Sequence, residues 1–146
     1  MKRRLFFLVL GLVLLLSAGA RAQQARPDTV RTDSGLRYVV HQRGPGSLPK
    51  PGSRIVAHYT GFLPNGRMFE SSATTGPLRF RLGRGEVIRG WDEVFALLPA
   101  GSRVRVWIPA ALAYGAKGVR NPDDESQYQI PPDTDLIFEL EVVKIK

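Results

Sequence analysis

The chain of 146 residues contains no cysteine. Disulfides, thiolate metal sites and lipid attachment to an N-terminal cysteine are therefore excluded, and burial alone must hold the fold. Histidine is scarce, with His41 and His58 only, too few ligands for a zinc site. No GxxxxGK[ST] loop is present, and Gly83-Arg84-Gly85 followed by Gly90 does not fit GxGxxG. Ser71-Ser72 lies outside any G-x-S-x-G context, so a hydrolase triad has no anchor. There is also no apolar run long enough to span a bilayer. The longest, Leu5 to Leu16, would reach about 18 Å as a helix, against a hydrocarbon core of roughly 30 Å. Metal, nucleotide and nucleophilic chemistries are all left without their usual residues, and no cofactor is expected.

That short apolar run has a different reading. Lys2, Arg3 and Arg4 precede it, and Ala20-Arg21-Ala22 follows in the small-x-small pattern of a cleavage site. Residues 1–22 are expected to be a secretory signal peptide, which implies an exported protein, periplasmic or beyond the cell, with no membrane attachment after cleavage. Removing Lys2, Arg3, Arg4 and Arg21 lowers the formal net charge from +8 to +4. The remaining cations are scattered along the sequence, which argues against nucleic-acid binding.

Residues 23–34 are polar and read as a flexible leader. One domain is expected over 35–146. Leu36, Tyr38 and Val40 alternate with Arg37, Val39 and His41, and Ile55 to Thr60 is β-branched and aromatic; both read as strands. Pro64-Asn65-Gly66 signals a tight turn. Met68 to Ser71, Leu78 to Leu82, Arg103 to Pro109 and Asp135 to Lys144 complete the strands, with Ala73 to Pro77 as a loop. Only Val87, Ile88, Trp91, Val94, Phe95 and Leu98 recur at helical spacing, predicting one helix of about 8 to 11 residues. Ala110 to Asp133 reads as a long connection, of a length that is usually functional. The turns are too short for crossover helices, so the sheet should be antiparallel with one helix packed on it, an α+β domain.

Aromatic residues gather beside the turns. Val56-Ala57-His58-Tyr59-Thr60-Gly61, Gly66-Arg67-Met68-Phe69-Glu70-Ser71-Ser72, Glu86-Val87-Ile88-Arg89-Gly90-Trp91, Ala113-Tyr114-Gly115, Ile130-Pro131-Pro132 and Leu136-Ile137-Phe138-Glu139-Leu140 follow in order. Together they resemble the FK506-binding-protein family of peptidyl-prolyl cis/trans isomerases. The resemblance covers essentially all of the chain beyond the leader. It implies a twisted, five- to six-stranded antiparallel half barrel wrapped around a short helix, with an apolar pocket that takes a proline ring. Trp91 would floor the pocket. Tyr59, Phe69, Val87, Ile88, Tyr114 and Phe138 would wall it, the Ile88 N–H would be a donor, and Leu78, Phe80 and Ile130 would contact substrate.

Such a reaction suits a chain without catalytic clusters. Amide resonance gives peptide rotation a barrier of about 18–20 kcal/mol, and no heavy-atom bond is broken. The catalyst must only bind the twisted amide better than either planar form. The resemblance implies proline-containing, incompletely folded polypeptides as partners, macrolides of the FK506 or rapamycin type as ligands, and a monomer. Two departures bear on this. Glu70 stands where the family usually has Asp, open either to direct involvement or to a buried ion pair with an arginine. Leu78 stands where a pocket aromatic is common. A binding module with little turnover on the same fold is the rival reading.

Overall fold

The computed structural model describes residues 28–146. The expected signal peptide and the first part of the leader lie outside the described residues.

Seven strands form one open antiparallel sheet: β1 (Val30–Arg31), β2 (Arg37–Gln42), β3 (Arg54–Phe62), β4 (Met68–Ser71), β5 (Leu78–Arg81), β6 (Arg103–Ile108) and β9 (Leu136–Ile145). Their order is β1-β2-β6-β9-β3-β4, with β5 also paired to β3. Strands β4 and β5 share one edge of β3: β4 pairs with Thr60 to Phe62, and β5 with Arg54 to Ala57. Between them lies a single helical turn, α1 (Ser72–Thr75), where the sequence suggested a loop. The six expected strands are all in the sheet, β4 and β5 among them, and β1 is the seventh. The sheet begins earlier than expected, because Val30 pairs with Tyr38 and Arg31 with Arg37. Ser34 donates to the Glu93 carboxylate at 2.7 Å, tying that end of the leader to the helix.

Period-two alternation sets the faces, as pleated strands require. In β9, Leu136, Phe138, Leu140 and Val142 are buried, and in β6 so are Val104, Val106 and Ile108. Against them packs α2 (Arg89–Phe95), which buries Trp91, Val94 and Phe95. The helix is shorter than the periodicity suggested. Val87 and Ile88 precede it, Ile88 being extended (φ −57°, ψ 148°), and Leu98 follows it. All three still contact the core because the flanking backbone carries them inward.

The long connection holds more structure than the sequence suggested. After a 3-10 turn at Ala110–Leu112 comes a hairpin, β7 (Val119–Asn121) with β8 (Asp124–Ile130). β8 opens on Asp124-Glu125 and β7 ends on Asn121, all poor strand formers, so the turn at Asn121-Pro122-Asp123 is its only clear signal.

Helix and sheet meet at Gly90. A Cβ there would lie 2.5 Å from Cγ2 of the fully buried Ile108. Gly90→Ala should therefore destabilise the protein by about 1–3 kcal/mol in urea unfolding, through overpacking. A gain of about 1 kcal/mol, as helix propensity alone would give, would contradict this packing.

Candidate active site

A cavity of about 200 Å³ opens beside α2. Trp91 lies in its wall, in the first turn of the helix. The indole meets Tyr59 edge-on at 5.0 Å and 68°, Phe138 at 5.0 Å and 76°, and Phe95 at 5.8 Å and 73°. Each such pair is worth about 0.5–1.5 kcal/mol beyond its burial, so three of them fix the ring. The indole N–H is buried with no acceptor among the described residues, a condition that costs about 1–3 kcal/mol.

The remaining wall comes from separate elements. Tyr59 projects from β3 and Phe138 from β9. Val87 and Ile88 enter from the segment before α2, Leu78 from β5, and Tyr114 from beyond the 3-10 turn. The Ile88 carbonyl accepts from the backbone N–H of Trp91 at 2.9 Å.

Hydrogen bonds hold the loops that carry these residues. Asp92 accepts from the Gly83 N–H at 2.8 Å and the Gly85 N–H at 3.1 Å, anchoring the segment before Val87. Asp135 accepts from the Ala110 N–H at 2.9 Å, fixing the start of the Tyr114 segment. The Tyr59 N–H donates to Ser72 Oγ at 3.0 Å.

Of the residues expected at the site, Tyr59, Glu70, Leu78, Val87, Ile88, Trp91, Tyr114 and Phe138 surround this one cavity. Phe69, Phe80 and Ile130 do not line it. Phe69 stands behind Phe138, edge-on at 5.7 Å, in space left by Gly61, where a Cβ would lie 2.5 Å from the Phe69 ring. Phe80 is 3% exposed and packs on Phe95 at 5.2 Å, because its position in β5 faces the core. Ile130 is buried at the end of β8, where pairing with Val119 turns it inward instead of leaving it on a free loop. Glu86 also lines the cavity, a role not expected of it; its Oε2 accepts from the Arg81 N–H at 2.8 Å. The acid opening the Glu86-to-Trp91 motif was its only signal.

Glu70 is exposed and forms no ion pair among the described residues, so the buried ion pair is not what the structure holds. Its carboxylate influences two phenols instead. Burial raises the Tyr59 pKa above its ordinary 10.0, with Glu70 adding to the shift and Thr75 opposing it. Burial also raises that of Tyr114, again with Glu70 adding to it. His58 is exposed on the opposite face of β3, with Nδ1 3.0 Å from Ser72 Oγ. It borders a wider groove of about 630 Å³ with His41, Arg103, Glu139 and Glu141. That groove is larger, but its polar and charged walls present no floor of converging aromatics.

The chain matches the sequence model described as FKBP-type peptidyl-prolyl cis-trans isomerase over residues 46–143. FK506-binding protein 1 of Dictyostelium discoideum is 36% identical over 113 residues, covering 77% of this chain and 99% of that protein. Outer membrane protein MIP of Legionella longbeachae is 36% identical over 126 residues, covering 86% of this chain. The chain spans only 50% of that relative and 24% of FK506-binding protein 4 of Neurospora crassa. Among solved structures, a peptidyl-prolyl cis-trans isomerase from Pseudomonas syringae pv. tomato superposes with a TM-score of 0.69 at 34% identity, over 84% of each chain.

Folded-state phenol pKa values above 10.0 make folding stability whole at neutral pH and diminishing as pH rises past about 10. An ultraviolet phenolate titration should show a late-ionising phase absent from the unfolded protein, and Glu70→Gln should shift that phase to lower pH. An unmoved late phase in the variant would detach Glu70 from both phenols.

Proposed function

The chain belongs to the FKBP-type peptidyl-prolyl cis-trans isomerase family, and from that premise we propose that it accelerates rotation about Xaa-Pro bonds of exported polypeptides in the cavity beside Trp91. The observation that carries this reading is a fixed indole, held by three edge-on ring contacts, in the wall of an aromatic cavity of about 200 Å³. An apolar cavity of about 150 Å³ accepts a benzene-sized guest, so a proline ring is within its capacity.

Each residue takes a role by its place. The Trp91 indole is the floor for the proline ring, and Val87, Ile88, Phe138 and Tyr59 bound it. Phe69, Phe80 and Ile130 support that wall from behind. Rotation twists the amide out of resonance, lowering its polarity, so a water-poor aromatic site favours the twisted form over either planar one. The Ile88 N–H and the Tyr114 hydroxyl hold the substrate backbone and so fix the geometry. The unmatched indole N–H of Trp91 is a further donor that a substrate oxygen would satisfy. Glu70, whose charge both phenols sense, orients the Tyr59 and Tyr114 hydroxyls as donors. No step needs a cofactor. The same cavity fits macrolides of the FK506 or rapamycin type. Residues 1–22 are removed on export, and the domain, with β1 part of its sheet, works as a monomer in the periplasm.

In a coupled assay on a short Xaa-Pro peptide, the purified protein should speed isomerisation. Trp91→Ala should lower kcat/KM at least about tenfold, equivalent to about 1.4 kcal/mol of transition-state stabilisation. Tyr114→Ala should also lower it without unfolding the chain, since Tyr114 is 41% exposed. Macrolide binding without any acceleration would make the domain a ligand-binding module and refute turnover. Mass spectrometry of the exported protein should find Gln23 as the first residue, whereas exported material retaining Met1 would refute cleavage.

A further inference from the structure

The cavity wall has the opposite charge sign to the protein around it. Without residues 1–22 the chain carries a formal +4. Yet of the nine residues lining the cavity two are acids, Glu70 and Glu86, and none is Lys, Arg or His. The two carboxylates are not equivalent. Glu86 is answered from β5: its Oε2 accepts from the Arg81 N–H at 2.8 Å, and its Oε1 lies 3.5 Å from Arg81 Nε. Glu70 is exposed and has no cationic partner among the described residues. Its side chain is on the cavity side of the sheet. Glu70 lies directly opposite Gly61, two residues along β3 from Tyr59, so strand alternation puts Glu70 and Tyr59 on one face. The Glu70 charge is felt at both the Tyr59 and Tyr114 hydroxyls, as a carboxylate on that face requires. A carboxylate has about four acceptor sites, so orienting two phenols leaves acceptors free.

An unanswered carboxylate at the mouth of an aromatic cavity selects by charge sign. The faces of aromatic rings carry the negative end of the ring quadrupole and attract cations, so the walls and Glu70 favour the same sign. We propose that Glu70 is a specificity-determining residue, which makes the site prefer prolines flanked by Lys or Arg and disfavour those flanked by Asp or Glu. With the proline ring on the Trp91 floor, its neighbours in the chain leave across the rim, where Glu70 and the 41% exposed Tyr114 stand. Their Cα atoms are about 3.8 Å from that of the proline. A lysine stem starting there lies along apolar wall and carries its ammonium to the carboxylate. A glutamate in the same place meets Glu70 with like charge and no cation in the wall to offset it. The inference rests on the isomerase reading, and its test separates the two.

Three peptides carry Lys, Gln or Glu on both sides of one proline. At low salt kcat/KM should be about tenfold higher for the Lys peptide than for the Glu peptide, with Gln between them. The ratio should fall below about threefold at roughly 0.5 M salt, because charges at an exposed rim are screened. Glu70→Gln should bring the low-salt ratio below about threefold, and Glu70→Lys should invert it. Glu70→Asp keeps the charge and should retain the preference. Each ratio is taken within one variant, so a general change in activity cancels, and an exposed position leaves the fold intact. Equal rates for the Lys and Glu peptides in the unmodified protein, or a ratio unmoved by Glu70→Gln, would overturn the proposal. A ratio lost equally in Glu70→Asp and Glu70→Gln would assign the effect to shape instead of charge and also overturn it. If no peptide is isomerised, the isomerase reading fails, and tryptophan fluorescence titration with the same peptides still reads binding. Tighter binding of the Lys peptide that is lost in Glu70→Gln supports the selection, and equal binding overturns it.

Discussion

Gly90 lets the backbone of α2 come against Ile108 where any side chain would collide with it. The next residue is Trp91, so this close approach sets how deep the indole sits between β3 and β9. Tyr59, Phe138 and Phe95 then meet the indole edge-on from three directions. Gly61 does for the wall what Gly90 does for the floor, leaving space for Phe69 and Phe138 to meet. Two missing side chains thus position the rings that bound the cavity. A close-packed interior transmits even a methylene of change, so the cavity and the core are one packing problem.

Aromatic packing fixes the floor, but the rim depends on polar contacts. Two aspartates hold it, Asp92 through the Gly83 and Gly85 N–H groups and Asp135 through that of Ala110. The β7–β8 hairpin is tied to β4 by Gln129 Nε2 donating to the Phe69 carbonyl at 3.1 Å and Arg67 donating to the Gln129 carbonyl at 3.2 Å. These bonds anchor the segments carrying Val87, Ile88 and Tyr114 to the sheet and helix. An arrangement fixed before the substrate arrives suits a reaction that depends on shape and low polarity rather than on bond making.

Much of this was legible in the sequence because β6 and the inner part of β9 keep a period of two, although bulges interrupt the pairing of β2, β3 and the end of β9. Alternation in Leu136 to Val142 and in Val104 to Ile108 predicted the buried face residue by residue. Seven of the eight cavity residues expected from the family motifs lie on strands, on the helix or in the segment just before it, where local pattern fixes direction; Tyr114 lies beyond the 3-10 turn. Phe80 and Ile130 were harder, since an apolar residue beside a cavity and one behind it look alike in sequence. The hairpin was hidden because its strands are polar and stabilised by tertiary ties. Its Arg120 lies 3.8 Å over the Tyr128 ring, a contact that no spacing rule reveals. Arg54, Arg81 and Lys146 are likewise distant in sequence and meet on adjacent strands only through register.

The proposed rotation is noncovalent and takes place in the cavity beside Trp91. Two-dimensional exchange NMR reads it on an Xaa-Pro peptide at cis/trans equilibrium with a small amount of the protein. Exchange peaks should link the cis and trans signals, and peptide-induced shifts in the protein should concentrate at Tyr59, Val87, Ile88, Trp91 and Tyr114. Absence of exchange, or shifts confined to the groove around His41 and His58 on the opposite face, would contradict it.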